Sequence, residues 1–126
     1  MKYTGSYVAL ITPFKDNLEV DYDKLSELLD FQIENGTNGI VVCGTTGEAA
    51  TLSEEEYIKV ITFVTEKSKG KVKVVAGAGS NSTKRAVELT KICKEIGVDA
   101  VLSVAPYYNK PTQKAIIEHF KKIAEV

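Results

Sequence analysis

Four short runs of apolar residues, rich in β-branched side chains, alternate along this chain with longer segments of helical periodicity. The runs are YVALI at 7–11, GIVVC at 39–43, VKVVA at 72–76 and AVLSV at 100–104. Each run is bounded by Gly, Pro, Asp or Asn. Near-continuous apolar runs of this length are typical of parallel strands that are buried on both faces. The alternation therefore predicts a parallel sheet whose strands are connected by helices.

The intervening segments repeat apolar residues three and four positions apart, which is the pattern of a helix that buries one face. Helices are predicted over residues 21–34, 82–95 and 112–124, and a further helix is predicted to begin at Ser53, where Glu56 completes a capping box. The residues predicted to face inward are, in chain order, Leu25, Leu28, Leu29, Ile33, Tyr57, Val60, Ile61, Val64, Ala86, Leu89, Ile92, Cys93, Ile116, Ile117, Phe120 and Ile123.

The strands and helices form four βα units of about 30 residues each, the usual size of a βα module. No linker or low-complexity segment divides the 126 residues, so one α/β domain over residues 1–126 is predicted. A doubly wound sheet of the flavodoxin type usually has about five strands. A (β/α)₈ TIM barrel has eight strands and about 250 residues, so four units would make half of a barrel. The first and last strands of such a half would be open edges with unpaired backbone groups.

The charge balance and the cysteine count exclude several classes of protein. Lys plus Arg is 16 and Asp plus Glu is 17, so the basic excess needed for nucleic-acid binding is missing. No apolar run approaches the roughly 20 residues of a membrane span, and no convincing signal peptide is present. Cys43 and Cys93 do not form a disulfide framework, and a cytoplasmic location with both thiols in the core is predicted. No metal-ligand cluster is present, and no cofactor is predicted.

The loops that follow the strands are the places to look for a site, because ligands of parallel α/β folds bind there. Gly44–Ala49 has two adjacent hydroxyls between glycines, which can bind a small anion such as a carboxylate. The same pattern fits a tight turn in which the threonines cap backbone groups. Tyr107 and Tyr108 follow the fourth strand, and a phenol there can either pass a proton or pack in the loop.

Other polar residues are better explained by structural roles. The segment 77–82 is predicted to form a turn in which Asn81 or Ser82 caps the third helix. His119 lies in the middle of the fourth helix without a cluster of partners, so a surface or packing role is predicted. Neither cysteine has a base nearby in sequence, and Cys43 lies within a strand, so neither is predicted to be a nucleophile.

At these loops the sequence resembles the dihydrodipicolinate synthase (4-hydroxy-tetrahydrodipicolinate synthase) family. The matching strings are GSYVALITP at 5–13, GTTGEAATL at 44–52, AGAGSN at 76–81 and PYYNKPTQ at 106–113, in order along essentially the whole chain. The resemblance implies a (β/α)₈ barrel that condenses pyruvate with L-aspartate 4-semialdehyde in lysine biosynthesis. It also implies a lysine that forms a Schiff base with pyruvate and so generates an enamine nucleophile.

Site residues can be carried over by position from the same resemblance. Thr45 resembles the hydroxyl in the middle of the family's proton relay, and Thr46 resembles the residue that binds the pyruvate carboxylate. Tyr108 resembles the relay tyrosine that reaches into the site of a neighbouring subunit. The Thr45 hydroxyl suits the middle of a proton relay because it can accept a proton from one phenol and donate one to another.

A second group of positions resembles the family's allosteric lysine pocket between subunits. It comprises Ala50, Asn81 and Tyr107. Two other positions depart from the family, because Tyr57 stands where lysine-inhibited members often have His and Arg85 stands where they often have Glu. A cationic effector would be repelled by Arg85, so feedback inhibition by lysine is not expected.

The family's Schiff-base lysine and second relay tyrosine lie on later strands than the four predicted here. Lys73 stands at the start of a strand and Lys110 in a loop, so neither is placed as a nucleophile. The 126-residue chain alone is therefore expected to be inactive and to self-associate through its open sheet edges. Two alternatives remain: a non-enzymatic half-barrel assembly unit, and half of a sister pyruvate-dependent lyase of the N-acetylneuraminate lyase type.

Overall fold

The computed structural model describes residues 3–126 and contains the parallel sheet that the sequence predicts. Its four strands lie side by side in chain order and are all parallel. They are β1 (Tyr7–Ala9), β2 (Gly39–Val42), β3 (Lys73–Gly77) and β4 (Ala100–Leu102). The two edge strands are two residues shorter than the apolar runs that predicted them. Each edge strand has a single neighbour among the described residues, so its hydrogen-bond ladder is one-sided.

Each strand is followed by the helix that the periodicity predicts. The helices are α1 (Tyr22–Glu34), α2 (Glu54–Ser68), α3 (Thr83–Ile96) and α4 (Gln113–Ala124). All four begin at a side chain that accepts a hydrogen bond from the first turn, with Ser82 as the cap of α3. The capping box of Ser53 and Glu56 is confirmed at the start of α2.

The sheet has two different faces. In β3, Val74 and Ala76 are buried against the helices, whereas Val75 between them is only partly buried. The register places Val75 beside Val41 of β2 on one side and beside Ala100 of β4 on the other. Because side chains alternate across a strand, these three residues share the face opposite the helices. The main core lies on the other face, under α1, α2 and α3.

The apolar face of α4 differs from the prediction. Ile123 is buried and Ile116 is half-buried, but Ile117 is 55% exposed and Phe120 is 38% exposed. The centre of the buried face is His119, whose Nδ1 lies 2.9 Å from Thr83 Oγ1 at the start of α3. Among the described elements α4 packs chiefly on α3, so its buried face is narrow and its remaining apolar residues face outward. A packing role for His119, one of the two roles predicted, is therefore confirmed.

Both cysteines are free and buried, and their surroundings keep the thiols protonated. Burial raises the pKa of the Cys43 thiol to about 12, and burial also raises the pKa of Cys93. These shifts oppose the nucleophilic chemistry that a thiolate would provide.

Alkaline pH is expected to destabilise the fold through these thiols. An unfolded thiol ionises near pH 9, whereas the folded Cys43 thiol stays protonated to about pH 12. The unfolded state then binds fewer protons, so the free energy of unfolding falls by up to about 1.4 kcal/mol per pH unit across that range because of Cys43. Urea denaturation at pH 7, 9 and 10 measures the fall. The Cys43→Ala variant should show a smaller slope, and equal slopes would contradict the assignment.

Candidate functional site

The loop after β2 turns sharply at the carboxyl end of the sheet. Cys43 and Glu48 both adopt left-handed backbone angles, with φ of 51° and 56°. Between them the backbone N–H of Glu48 donates to the carbonyl of Thr45 at 3.0 Å. The turn buries Gly47 and leaves Thr45 and Thr46 exposed. Two hydroxyls are thus presented to solvent by a hydrogen-bonded turn.

Thr12, at the end of the first strand region, anchors this turn. Its hydroxyl is buried and donates to the carbonyl of Gly47 at 2.7 Å. A Cβ on Gly47 would lie 3.1 Å from the carbonyl oxygen of Leu10 and 3.2 Å from the backbone nitrogen of Cys43, so the turn sits tightly between two strand ends. The sequence pattern does not single out Thr12 as a site residue. Its only local signal is its place directly after an apolar run.

A cleft of about 620 Å³ opens between the loops that follow β2, β3 and β4. The structure brings Thr45, Ala50 and Tyr107 to this cleft. Of the other candidates, Thr46, Asn81 and Tyr108 are not among its lining residues. The cleft is also lined by residues that the sequence pattern does not mark as site residues: Glu48, Ser53, Glu54, Ser80, Ser103 and Val104.

The loop after β4 separates its two tyrosines. Tyr108 has φ of 70° and is 94% exposed, whereas Tyr107 lines the cleft. Asn109 fastens this loop to the neighbouring one, because its Nδ2 donates to the carbonyl of Asn81 at 3.3 Å. Neighbouring phenols are therefore directed to different surroundings, and the Tyr108 side chain projects away from the described chain.

The far wall of the cleft is charged but locally neutralised. Arg85 lies 2.6 Å from Glu54 and 3.5 Å from Glu88, and the hydrogen bond to Glu54 raises the pKa of the guanidinium. Beside it the Tyr57 hydroxyl donates to the carbonyl of Gly77 at 2.8 Å and lies 3.2 Å from the sulfur of Cys93. Burial raises the pKa of Tyr57 above its usual range, so the phenol stays protonated. Its hydrogen bond to Gly77 connects α2 to β3.

Lys73, the lysine of β3, is unsuited to a nucleophilic role. It lies at the amino end of its strand, with Nζ 2.6 Å from Asp99, and that hydrogen bond raises the pKa of the ammonium group. A Schiff-base lysine needs its pKa lowered so that the neutral amine is available. Lys110, in the loop after β4, is exposed.

The described residues contain neither a candidate metal site nor a helix that could span a membrane. Over residues 3–126 no group of three or more His, Cys, Asp or Glu side chains is placed to hold a metal ion. Within the same range no helix has the length and apolar character needed to cross a membrane.

The comparisons with known proteins agree with one another. Residues 2–126 match the Dihydrodipicolinate synthetase family. The 4-hydroxy-tetrahydrodipicolinate synthase of Lachnoclostridium phytofermentans is 57% identical over 123 residues. Those residues are 98% of this chain and 42% of the relative, so the chain spans less than half the length of the curated relatives it matches.

Solved structures show the same partial coverage. The dihydrodipicolinate synthase from Aquifex aeolicus is 54% identical, with a TM-score of 0.94 over 98% of this chain and 42% of that one. The chloride-inhibited enzyme from Acinetobacter baumannii, solved with pyruvate, is 50% identical, with a TM-score of 0.94 over 96% and 42% of the two chains. These neighbours are (β/α)₈ TIM barrels, so the four βα units form half of that fold, as the sequence predicts.

Proposed function

Because the chain belongs to the dihydrodipicolinate synthetase family, we propose that it contributes the hydroxyl-bearing half of a pyruvate-condensing active site. The reaction joins pyruvate to L-aspartate 4-semialdehyde and gives 4-hydroxy-tetrahydrodipicolinate in the diaminopimelate route to lysine. The observation that supports this most directly is the turn that presents Thr45 and Thr46 side by side at the carboxyl edge of the sheet, held by Thr12.

The nucleophile in this reaction is a lysine outside the chain. Its neutral amine attacks the pyruvate carbonyl, and the resulting adduct takes up a proton and loses water to give a protonated imine. Loss of a proton from the methyl carbon gives an enamine, whose carbon attacks the aldehyde of the second substrate. The raised pKa of Lys73 and its place at the wrong end of β3 support this division of roles. The 126-residue chain made alone is accordingly inactive in our proposal.

Thr45 and Tyr108 move protons in these steps. The Thr45 hydroxyl is exposed in the cleft and can accept from one phenol while it donates to the next. Tyr108 projects from its loop, 94% exposed, which suits a phenol that completes the site of a neighbouring copy. The working enzyme is therefore a homo-oligomer in this proposal.

Thr46 binds the carboxylate of pyruvate. It adjoins Thr45 in a turn whose backbone N–H groups and hydroxyls can together coordinate a small anion.

In our proposal Ala50, Asn81 and Tyr107 correspond to positions of the family's lysine-binding pocket. Ala50 and Tyr107 line the cleft, and Asn81 lies in the loop after β3 outside its lining. Arg85 and Glu54 occupy one wall as an ion pair. A free amino acid with a cationic side chain would have to displace Arg85 from Glu54 to be held there. We therefore propose that lysine does not inhibit this enzyme.

The cytoplasm is the proposed location. Two free, buried thiols with raised pKa values are stable in a reducing compartment and contribute to the core as small apolar groups.

A hybrid enzyme tests the proposed function. Residues 1–126 of this chain replace the matching part of the Lachnoclostridium phytofermentans synthase, to which they are 57% identical. We expect the hybrid to consume pyruvate together with the semialdehyde. A second hybrid that carries the matching part of the Aquifex aeolicus enzyme controls for tolerance of the exchange. A folded first hybrid without activity, beside an active second one, would contradict the proposal.

A further inference from the structure

One peptide unit in the turn after β2 is fixed by a hydrogen bond at each end. Its carbonyl, from Gly47, accepts from the Thr12 hydroxyl at 2.7 Å, and its N–H, from Glu48, donates to the Thr45 carbonyl at 3.0 Å. The carbonyl and the N–H of a trans peptide point in opposite directions, so the two bonds hold this unit from both sides. The buried Thr12 hydroxyl is therefore two hydrogen bonds away from the backbone of Thr45.

The segment that carries Thr12 is itself tied to its neighbours on both sides. Before it, the Leu10 N–H donates to the carbonyl of Val41 in β2 at 3.0 Å. After it, the Pro13 carbonyl accepts from the N–H of Asp21, the residue that caps α1, at 2.8 Å. Thr12 is 5% exposed, so water is a poor alternative partner for its hydroxyl. The bond to Gly47 thus connects the turn to a well-anchored part of the fold.

The opposite orientation of the same peptide unit would relieve a backbone cost. Glu48 has φ of 56° and ψ of 34°, in the left-handed region that residues other than glycine seldom occupy. Turning the peptide over changes ψ of Gly47 and φ of Glu48 together, and it brings Glu48 to a negative φ. Gly47 has no Cβ and tolerates the change of ψ. The observed orientation therefore needs bonds that outweigh this cost, and the Thr12 hydroxyl provides one of them.

We propose that Thr12 is a positioning residue of the active site, because its hydroxyl keeps the peptide between Gly47 and Glu48 in the orientation that presents Thr45 and Thr46 to the substrate. This inference rests on the proposed function. Without the hydroxyl the peptide turns over, Glu48 relaxes to a negative φ, and the Thr45 carbonyl loses its partner. Thr45 and Thr46 are adjacent, so both of their hydroxyls shift together. Thr12 acts through Gly47 and does not itself contact the substrate.

Steady-state kinetics of the hybrid enzyme tests this role. Thr12→Val keeps the shape of the side chain and removes the hydroxyl. We expect kcat to fall and the KM for pyruvate to rise, with kcat/KM lowered at least about tenfold. This result differs from that of Thr45→Val, which removes one hydroxyl in place and is expected to change kcat alone. Thr12→Ser keeps the hydroxyl and should retain most of the activity.

Two further substitutions separate position from stability. Glu48→Asn added to Thr12→Val lowers the cost of the left-handed conformation, which Asn tolerates better than Glu, and should recover part of the lost kcat/KM. Glu48→Asn alone measures the effect of that side chain itself. Thr37→Val is the matched control, because the Thr37 hydroxyl donates to the carbonyl of Gly39 at 3.0 Å at the amino end of the sheet. It removes a bond of the same kind at the opposite end from the site and should leave both kinetic parameters unchanged.

Crystal structures and urea denaturation of the hybrid and its Thr12→Val variant complete the test. We expect the variant to be folded, with the Gly47 carbonyl turned away from position 12 and Glu48 at a negative φ. An unchanged peptide, an unchanged kcat/KM, or a loss of activity that only matches a loss of folded protein would overturn the inference. A parent hybrid without activity would instead contradict the proposed function, and the two crystal structures would still decide whether Thr12 holds the peptide.

Discussion

Replacing Thr45 with valine in the hybrid enzyme is expected to lower kcat by about 10²- to 10⁴-fold, while the KM for pyruvate changes little. Valine keeps the shape of threonine and removes the hydroxyl that passes the proton. The Thr45 side chain is exposed in the cleft, so its replacement does not disturb the core. Steady-state kinetics with pyruvate varied at saturating semialdehyde separates the two parameters.

The matched control is Thr51→Val in the same loop. The Thr51 hydroxyl donates to the carbonyl of Glu48 at 3.0 Å and has no part in the proposed proton transfer. Its loss should change kcat only slightly. A Thr45→Val hybrid as active as the parent hybrid would remove Thr45 from the relay, and a similar loss in both variants would point to damage of the loop as a whole.

Replacing Gly77 with alanine is expected to destabilise the fold by about 3 kcal/mol, which is the upper end of the usual range for overpacking. A Cβ on Gly77 would lie 2.1 Å from the carbonyl oxygen of Cys43 and 2.8 Å from its carbonyl carbon. The obstructing atoms are backbone atoms, so no side chain can rotate away. The strand ends of β2 and β3 must therefore separate, which also moves the turn that carries Thr45.

Gly44→Ala is the control for this substitution. Gly44 lies in the neighbouring loop, and a Cβ there would meet only Val41 Cγ1, at the ordinary contact distance of 3.8 Å. Its stability should stay within about 1 kcal/mol of the parent. Urea denaturation of the two variants under the same conditions gives the difference. Equal midpoints would show that the strand ends at Gly77 are less closely packed than described.

The four βα units could be predicted because each strand and helix carries a local signal. The fourth helix shows the limit of such signals. Its apolar residues cover more surface than one neighbour can bury, and periodicity does not say which part faces α3. The partner of His119 is Thr83, 36 residues away, and no local pattern connects the two.

The sequence likewise predicts those parts of the candidate site that carry a local signal, and it does not predict the parts that depend on distant contacts. Thr45 and Thr46 stand out because glycines flank them and a strand precedes them. Thr12 does not, because its bond to Gly47 spans 35 residues and a single threonine after a strand has no distinctive spacing. The separation of Tyr107 from Tyr108 depends on the left-handed backbone at Tyr108, which the residue type does not favour.

Intact mass after treatment with pyruvate and borohydride tests the central claim most directly, because borohydride converts a Schiff base into a stable amine. We expect no adduct on the 126-residue chain alone and one adduct per chain on the hybrid enzyme, located by peptide mapping outside residues 1–126. A stoichiometric adduct on a lysine of the isolated chain, or on a lysine within residues 1–126 of the hybrid, would contradict the division of roles between this half and its nucleophile.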